Sequence, residues 1–302
     1  MAERVDLEIA RLIGAPIDPN LKVPVAIAEI ANIETAEAGE LVRIFNNSAE
    51  DVNVDDIYAV DANGGLTLNK ISAVAPATLT FVGLSSKLEY VLLDEVLPAP
   101  DQKALGRKKA GIARAMDKEE LRRLITGILG LVGQQVTASA KLYTGILALK
   151  HKVEDYGDNF ILLVSSDVSE AIDTYEIDNV TTFYYKMGLR ELLASLGIKT
   201  IKIVGKVNGA NLITAKTGIL VARDSSLAAG KPITFVRRAI SAEVAAQMGV
   251  EAGDRLISVA QVPTIINAAG KNTLGYGCFG YESIIETIVN FRAIAWSNDL
   301  IA

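Results

Sequence analysis

Near its end the chain reads Gly280-Tyr-Glu-Ser-Ile-Ile-Glu-Thr-Ile-Val-Asn-Phe-Arg-Ala-Ile-Ala-Trp-Ser-Asn-Asp299. β-Branched and aromatic residues dominate the part from 281 to 296, and such residues favour strands. The preceding stretch, 267–280, holds four glycines and predicts a mobile or close-packed connection before the last strand. Its end, 275–280, spells G-x-G-x-x-G, but a dinucleotide site needs a helix directly afterwards, and here a β-branched run follows. We therefore expect no cofactor at these glycines.

A long run of helix formers occupies 102–133, behind Asp101, which is a suitable N-cap residue. Leu121, Leu124, Ile125, Ile128 and Leu131 form an apolar stripe along it. Residues 102–123 carry eight basic residues against three acidic ones, among them Arg107, Lys108 and Arg114. Three interpretations of this basic helix stay open: a solvated face, an electrostatic seam to an acidic neighbouring subunit, or contact with enclosed nucleic acid.

The stretch 38–95 has the alternation and turn residues of β-structure. Asn63 and Gly64 sit between two apolar runs and are typical of a tight hairpin turn. Acidic residues gather before this turn, but Leu66 and Ser72 occupy the positions where a calcium loop starting at Asp61 needs Gly and Glu. A charged edge that deters stray strand pairing explains the acids better.

The first 15 residues form a short amphipathic arm, with Val5, Ile9 and Leu12 on one helical face. Three prolines follow by residue 24 and favour extended chain. The arm docks either on the body of its own subunit or on a neighbour.

Helical and strand-like segments interleave irregularly from 138 to 265, which predicts an α+β fold. The predicted helices are 138–156, 165–175, 183–196 and 242–248. The predicted strands are 159–164, 200–204, 211–222 with a turn at 216–218, 233–240 and 255–262.

Composition narrows the classes of function. Apolar residues make up about 55% of the chain once Gly is counted and Tyr is left out, against roughly 45–50% in ordinary domains. No run approaches the ~18 apolar residues of a membrane span. This surplus goes either into a tightly packed monomer or into surface buried by neighbours. We favour an obligate assembly, because obligate interfaces resemble a core cut in half. The net charge of −6 argues against sequence-independent nucleic-acid binding by the whole chain.

Residues suited to catalysis are few. His151 is the only histidine, so the common zinc sites and Ser-His or Cys-His nucleophile pairs all depend on it, and we interpret it as a solvated side chain. Cys278 is the only cysteine, which excludes an internal disulfide. The charged N-terminus predicts no secretory signal. We expect no active site, no cofactor and no bound metal.

The order of these segments resembles the major coat proteins of tailed double-stranded-DNA phages, which have the Hong Kong phage type of shell fold. The 280–299 stretch is similar to the C-terminal strand of that family, and 102–133 to its long spine helix. The resemblance covers nearly the whole chain and lies in element order, since no short motif is diagnostic.

The resemblance implies a domain division and a set of partners. Residues 1–37 would be an N-terminal arm and lead-in, 38–95 an extension loop, 96–137 with 266–302 a peripheral domain, and 138–265 an axial domain. Copies of the chain would form hexamers and pentamers of an icosahedral capsid that encloses double-stranded DNA, assembled in the host cytoplasm. Scaffolding, portal and decoration proteins are further implied partners, and no membrane is. Because no long coiled-coil segment leads the chain, any scaffold is expected to be a separate protein.

The candidate functional residues are thus contacts between subunits. They are Val5, Ile9 and Leu12 in the arm, Asn63 and Gly64 at the hairpin tip, and Arg107, Lys108 and Arg114 on the basic helix. Two alternatives stay open. One is an encapsulin-type compartment shell, and the other is a cytosolic α/β enzyme with a carboxylate site such as Asp55 and Asp56.

Overall fold

The computed structural model describes residues 27–37, 43–44, 77–86, 89–92, 102–137, 141–175, 188–223, 231–247, 253–266 and 272–301. Three sets of predicted residues lie outside these ranges. They are the arm residues Val5, Ile9 and Leu12, the hairpin tip Asn63 and Gly64, and the acid pair Asp55 and Asp56.

The described helices and strands alternate irregularly, as predicted. The helices are α1 (Gln102–Leu129), α2 (Leu142–Val153), α3 (Ser166–Thr174), α4 (Leu189–Ser195) and α5 (Ala242–Gln247). The strands are β1 (Asn32–Ala36), β2 (Arg43–Ile44), β3 (Ala77–Thr78), β4 (Val82–Ser85), β5 (Glu89–Leu92), β6 (Phe160–Val164), β7 (Ile198–Lys202), β8 (Lys206–Val207), β9 (Ala210–Asn211), β10 (Gly218–Ala222), β11 (Ile233–Arg238), β12 (Arg255–Ile266), β13 (Asn272–Ile288) and β14 (Ile294–Ser297).

Helix α1 confirms the long helix predicted for 102–133, although it ends at Leu129. At 28 residues it is about 42 Å long. Leu121, Leu124, Ile125 and Ile128 of the predicted stripe are all buried, with at most 2% of each side chain exposed. Leu131 lies beyond the helix end, after Gly130, and is half-buried. None of the described helices is long and apolar enough to cross a bilayer.

Strand β13 is the centre of a six-stranded sheet. One of its edges pairs with β12 and then with β11, and β1 continues the sheet parallel to β11. The other edge pairs with β5 and β4. Residue Ile284 has Arg237 of β11 as its partner on one side and Val82 of β4 on the other, which fixes the two edges. Two strands of the stretch 38–95, β4 and β5, thus join the sheet built on the chain's last third.

A second sheet has four strands in the order β14-β10-β6-β7. Every residue of β6 and β10 is buried, which explains why both read as unbroken apolar runs. Alternate residues of β6 face opposite sides: Ile161 and Leu163 pack toward α1, whereas Phe160 and Leu162 pack against α2, α3 and α4. The sheet is therefore covered by helices on both faces.

The C-terminal half of α1 lies in a core that both sheets share. Its apolar stripe packs with Phe235 and Ile284 of the first sheet and with Ile219 and Trp296 of the second. The indole nitrogen of Trp296 donates a hydrogen bond to the carbonyl of Leu131 at 2.9 Å, which ties β14 to the end of this helix. One continuous core therefore joins the helix to both sheets.

The segment before β1 is fastened to the same core. Ile27 and Ile30 are buried in it. The ammonium group of Lys231 donates to the carbonyls of Ala28 and Ala31. The described segment that begins at Ile27 is therefore fastened to the body of the subunit.

The run predicted as one last strand, 281–296, is two strands in two sheets. Strand β13 ends at Ile288, a 3-10 turn spans Phe291–Ala293, and β14 then pairs with β10. Asn290 makes this break, because its side chain accepts a hydrogen bond from the backbone N–H of Arg292 at 3.2 Å. Strand propensity is similarly high in the segments that form β13 and β14, so it does not predict the turn between them.

The prediction of a glycine-rich connection at 267–280 is wrong from residue 272 onward. Residues from Asn272 belong to β13, with neighbouring strands on both edges from Gly275 to Cys278. Gly280 is needed for packing: a Cβ atom there would lie 2.6 Å from Ile112 Cγ2 and 2.6 Å from Met116 Sδ of α1. The glycine marks the close approach of a helix to the sheet and not a loop.

The remaining predicted elements are confirmed with shifted ends. The helix predicted for 138–156 is α2 followed by a 3-10 turn, and the helix predicted for 165–175 is α3. Ser165 holds the N-cap position of α3, but its hydroxyl donates to the carbonyl of Thr217 instead of capping the helix. The strand predicted for 211–222 is confined to its second half, because Lys216 has a φ of 61° just before β10.

Gly280→Ala is predicted to destabilise the isolated subunit by about 1–3 kcal/mol, because the new methyl group pushes α1 away from β13. Urea unfolding followed by circular dichroism measures the loss. Gly111→Ala is the matched control. Nothing lies within 4 Å of a Cβ at this position of α1, so alanine is expected to raise stability by about 0.5–1 kcal/mol. Equal effects at the two glycines would contradict the assigned packing.

Candidate functional site

The described residues offer little that resembles a catalytic centre. His151 is exposed on the last turn of α2, with Nδ1 3.0 Å from Glu154 Oε2, as expected for a solvated side chain. Cys278 is buried, and its sulfur is not part of a disulfide. No group of three His, Cys, Asp or Glu side chains in the described part of the chain is placed to hold a metal ion. The concentrated polar chemistry lies instead between α1 and the six-stranded sheet.

The predicted basic residues of α1 do not form one solvated face. Lys108 is exposed, whereas its neighbour Lys109 is buried, and this burial lowers the pKa of Lys109. Arg114 is half-buried, with an Nε atom that has no hydrogen-bond partner. Arg107 lies on the first turns of α1. Two acids of α1, Asp117 and Glu120, make ion pairs with arginines of the sheet.

Glu120 is the centre of a charge joint, our name for Asp117, Glu120, Arg237, Asp254, Arg255 and Glu282. Its side chain is completely buried. Arg237 of β11 donates two hydrogen bonds to it, from Nε to Oε1 at 3.0 Å and from Nη2 to Oε2 at 2.8 Å. Such two-point contacts fix both distance and orientation. Arg237 Nη1 also donates to Asp254 at 3.3 Å.

Arg255 of β12 joins three carboxylates of the charge joint. Its Nε donates to Glu282 at 2.6 Å and its Nη1 to Asp117 at 2.7 Å. Its Nη2 lies 3.2 Å from Glu120 Oε1, but without the alignment of a hydrogen bond. Two arginines of the sheet thus hold two acids of the helix.

Burial and charge shift the pKa values in opposite directions within the joint. Burial by itself lowers the pKa of Arg255, but the charges of Glu282, Asp117 and Glu120 outweigh it and raise that pKa overall. Burial first, and then the charge of Glu120, raise the pKa of Glu282 to about 7, despite the opposing effect of Arg255. The uncharged, protonated form of Glu282 is therefore more favoured in the charge joint than it is in a glutamate exposed to water.

A second network lies one helical turn further along α1. Glu119 accepts hydrogen bonds from Arg122 at 2.6 and 2.7 Å and from Arg123 at 3.2 Å. Glu286 of β13 lies nearby, and burial raises its pKa. Its Oε2 atom is buried and has no hydrogen-bond partner.

Sequence reasoning missed the charge joint because its paired members are separated by 17 to 138 residues along the chain. One signal was present. Glu282 and Glu286 interrupt an otherwise apolar strand at positions that share a face. Charged residues on a buried face need partners, so this spacing indicated a buried polar contact without identifying it.

No protein-family model matches the chain, and no curated protein does. Solved structures do match along nearly its whole length. The capsid of a native GTA particle has a TM-score of 0.56 and 12% identity, and the match covers 93% of this chain and 92% of that one. A virus-like particle from Pyrococcus furiosus has a TM-score of 0.54, 13% identity and 98% coverage of both chains. A structure from Mycobacterium phage Che8 has a TM-score of 0.53 and 10% identity, with 95% and 96% covered. The predicted α+β shell fold is confirmed.

Arg255→Met is predicted to cost the subunit about 3–5 kcal/mol, because it leaves buried carboxylates without a cation. Arg190→Met is the matched control. Arg190 also makes a two-point pair, with Asp173 at 2.7 and 3.2 Å, but both partners are about half exposed. An exposed pair is worth about 0–1 kcal/mol. Chemical unfolding of both variants gives the two values, and similar losses would contradict the importance of the joint.

Glu282→Gln is predicted to remove part of the pH dependence of stability. Because the folded-state pKa of Glu282 lies above its ordinary value of 4.5, the folded chain binds this proton more tightly than the unfolded chain does. Wild type should therefore gain stability relative to Glu282→Gln as pH falls from about 7 toward 4.5, and lose this gain above pH 7. Unfolding measured from pH 5 to 8 tests the slope. Glu170→Gln, at an exposed site on α3, should follow the wild-type slope, and the prediction fails if Glu282→Gln does so as well.

Proposed function

We propose that this chain, which has the shell fold of tailed-phage coat proteins, is a structural subunit that assembles in many copies into a closed icosahedral capsid around double-stranded DNA. The observation that carries the proposal is the end-to-end extent of the likeness to shell subunits from three sources. The three matches cover 93% to 98% of this chain.

The apolar surplus of the sequence supports the proposal. A chain with about 55% apolar residues and no membrane-spanning run is suited to burying surface against neighbours. Strand β1 is the last described strand on its side of the six-stranded sheet, and Ile33 on it is 40% exposed. An edge strand of this kind offers unpaired backbone groups to another chain.

The predicted domains give each region a place in the shell. The arm and lead-in (1–37) and the extension loop (38–95) interlock neighbouring subunits, with Val5, Ile9, Leu12, Asn63 and Gly64 at the contacts. The peripheral domain (96–137 and 266–302) carries the basic helix residues Arg107, Lys108 and Arg114. The axial domain (138–265) meets its copies around the five-fold and six-fold axes. Scaffolding, portal and decoration proteins complete the particle, and the capsid of the virion is where the chain resides.

The charge joint has a mechanical function under this proposal. A shell subunit transmits force between neighbours, so its long helix and its sheet have to move as one body. Two arginines that each contact carboxylates on α1 resist sliding of the helix along the sheet, which an apolar contact alone resists weakly. The joint thus fixes the register between the two.

The proposal predicts that the purified chain forms hollow particles tens of nanometres across, seen by negative-stain electron microscopy and by rapid sedimentation. Particles made in cells with the full set of phage proteins are expected to protect double-stranded DNA from nuclease.

Replacement of Asn63 and Gly64 by two valines should abolish particles, because the tight turn of the extension loop needs residues that accept positive φ. The variant subunit should keep its circular dichroism spectrum.

Two outcomes would redirect the proposal. Particles that hold a cargo protein and no DNA would favour the encapsulin-type compartment. A stable monomer at high concentration that binds a small metabolite would overturn the shell function and favour the enzyme alternative.

A further inference from the structure

An open notch lies where β4 leaves the edge of β13. Strand β4 begins at Val82, opposite Ile284, so no described strand pairs with this edge of β13 beyond that point. The notch is a cavity of about 150 Å³. Its lining is Leu79, Thr80, Val82, Arg123, Ile284, Ile285 and Glu286. A cavity of this size admits a group of about six heavy atoms.

The notch combines apolar walls with one unsatisfied acceptor. Leu79, Val82, Ile284 and Ile285 supply the walls. Glu286 is also a lining residue, and its Oε2 atom is buried and accepts no hydrogen bond from the described residues. A buried acceptor without a donor is uncommon, because it loses its water without a replacement.

Charge in the neighbourhood of the notch is out of balance. Arg123, the base in its wall, already pairs with Glu119. Across the charge joint and this second network there are six carboxylates and four guanidinium groups. The carboxylates belong to Asp117, Glu119, Glu120, Asp254, Glu282 and Glu286, and the guanidinium groups to Arg122, Arg123, Arg237 and Arg255. Glu286 is the carboxylate of this set with no ion pair.

We propose that this notch receives a basic side chain, lysine or arginine, from a second copy of the chain, with its aliphatic stem on the apolar walls and its charged head on Glu286. The proposal rests on the shell function proposed above. Long basic side chains have this division between an apolar stem and a charged tip. A second copy offers such groups: Lys202 and Lys206 are exposed and form no ion pair within the described part of the chain. A closed shell holds copies side by side, so such a side chain is present at every notch.

Glu286→Gln tests the proposal through two effects of opposite sign. In the isolated subunit it removes a buried charge that lacks a partner, so the unfolding midpoint in urea should stay the same or rise. In the shell it removes an ion pair, so the free-subunit concentration at which particles form should rise by about tenfold. That concentration should also depend less on salt in the variant than in wild type. Glu170→Gln, at an exposed site, should match wild type in all three measurements.

A cross-linking experiment identifies the donor. p-Benzoylphenylalanine replaces the exposed Thr80 at the notch, and subunits labelled with ¹⁴N and ¹⁵N are mixed before assembly. Irradiation should link position 80 to a lysine- or arginine-containing peptide of the other isotope. Links confined to one copy, or Glu286→Gln particles that form at the wild-type concentration, would overturn the notch proposal while leaving the shell function intact. Absence of particles from the wild-type chain would overturn the shell function, and this proposal with it.

Discussion

Two arginines of the six-stranded sheet converge on the carboxylate of Glu120 and thereby set the position of the long helix. Their role differs from that of the apolar core around them. Four fully buried residues of α1 each contribute about 1.5–3 kcal/mol by leaving water. A buried ion network contributes little net stability, because desolvation offsets most of its attraction. The core therefore draws the helix to the sheet, and the charge joint selects the register.

The charge joint is possible only because the backbone of β13 lies close to α1. Gly280 removes the side chain that would hold the two elements apart at Ile112 and Met116. Two residues along the strand, Glu282 points toward the same helix and meets Arg255. The same face of β13 thus leaves room for α1 at Gly280 and then, at Glu282, carries a charged side chain that pairs with Arg255. This arrangement explains why glycines and glutamates occur within a strand that is otherwise apolar.

The surplus of carboxylates has a consequence for assembly. In the isolated subunit the half-buried Glu286 carries a charge that no described arginine pairs with, which costs the fold some stability. A cation supplied by a neighbour relieves that cost only in the assembled state. If the chain forms a shell, the pairing of this charge on assembly therefore makes an electrostatic contribution to the free energy of assembly.

The sequence by itself determined the α+β class, the long helix with its buried stripe, the fully apolar strands β6 and β10, and the likeness to coat proteins. The class, the helix and the strands follow from local periodicity, which the chain carries at every position, whereas the likeness to coat proteins is a resemblance in the order of these elements. Tertiary structure alone decided that 281–296 divides between two sheets, that Gly275 to Gly280 belong to a strand, and that Glu120 meets Arg237 and Arg255. These features depend on contacts between residues far apart in the chain, and a buried ion pair or a close helix approach leaves no periodic mark on either partner. The predicted contacts at Val5, Ile9, Leu12, Asn63 and Gly64 depend on a second copy and stay predictions.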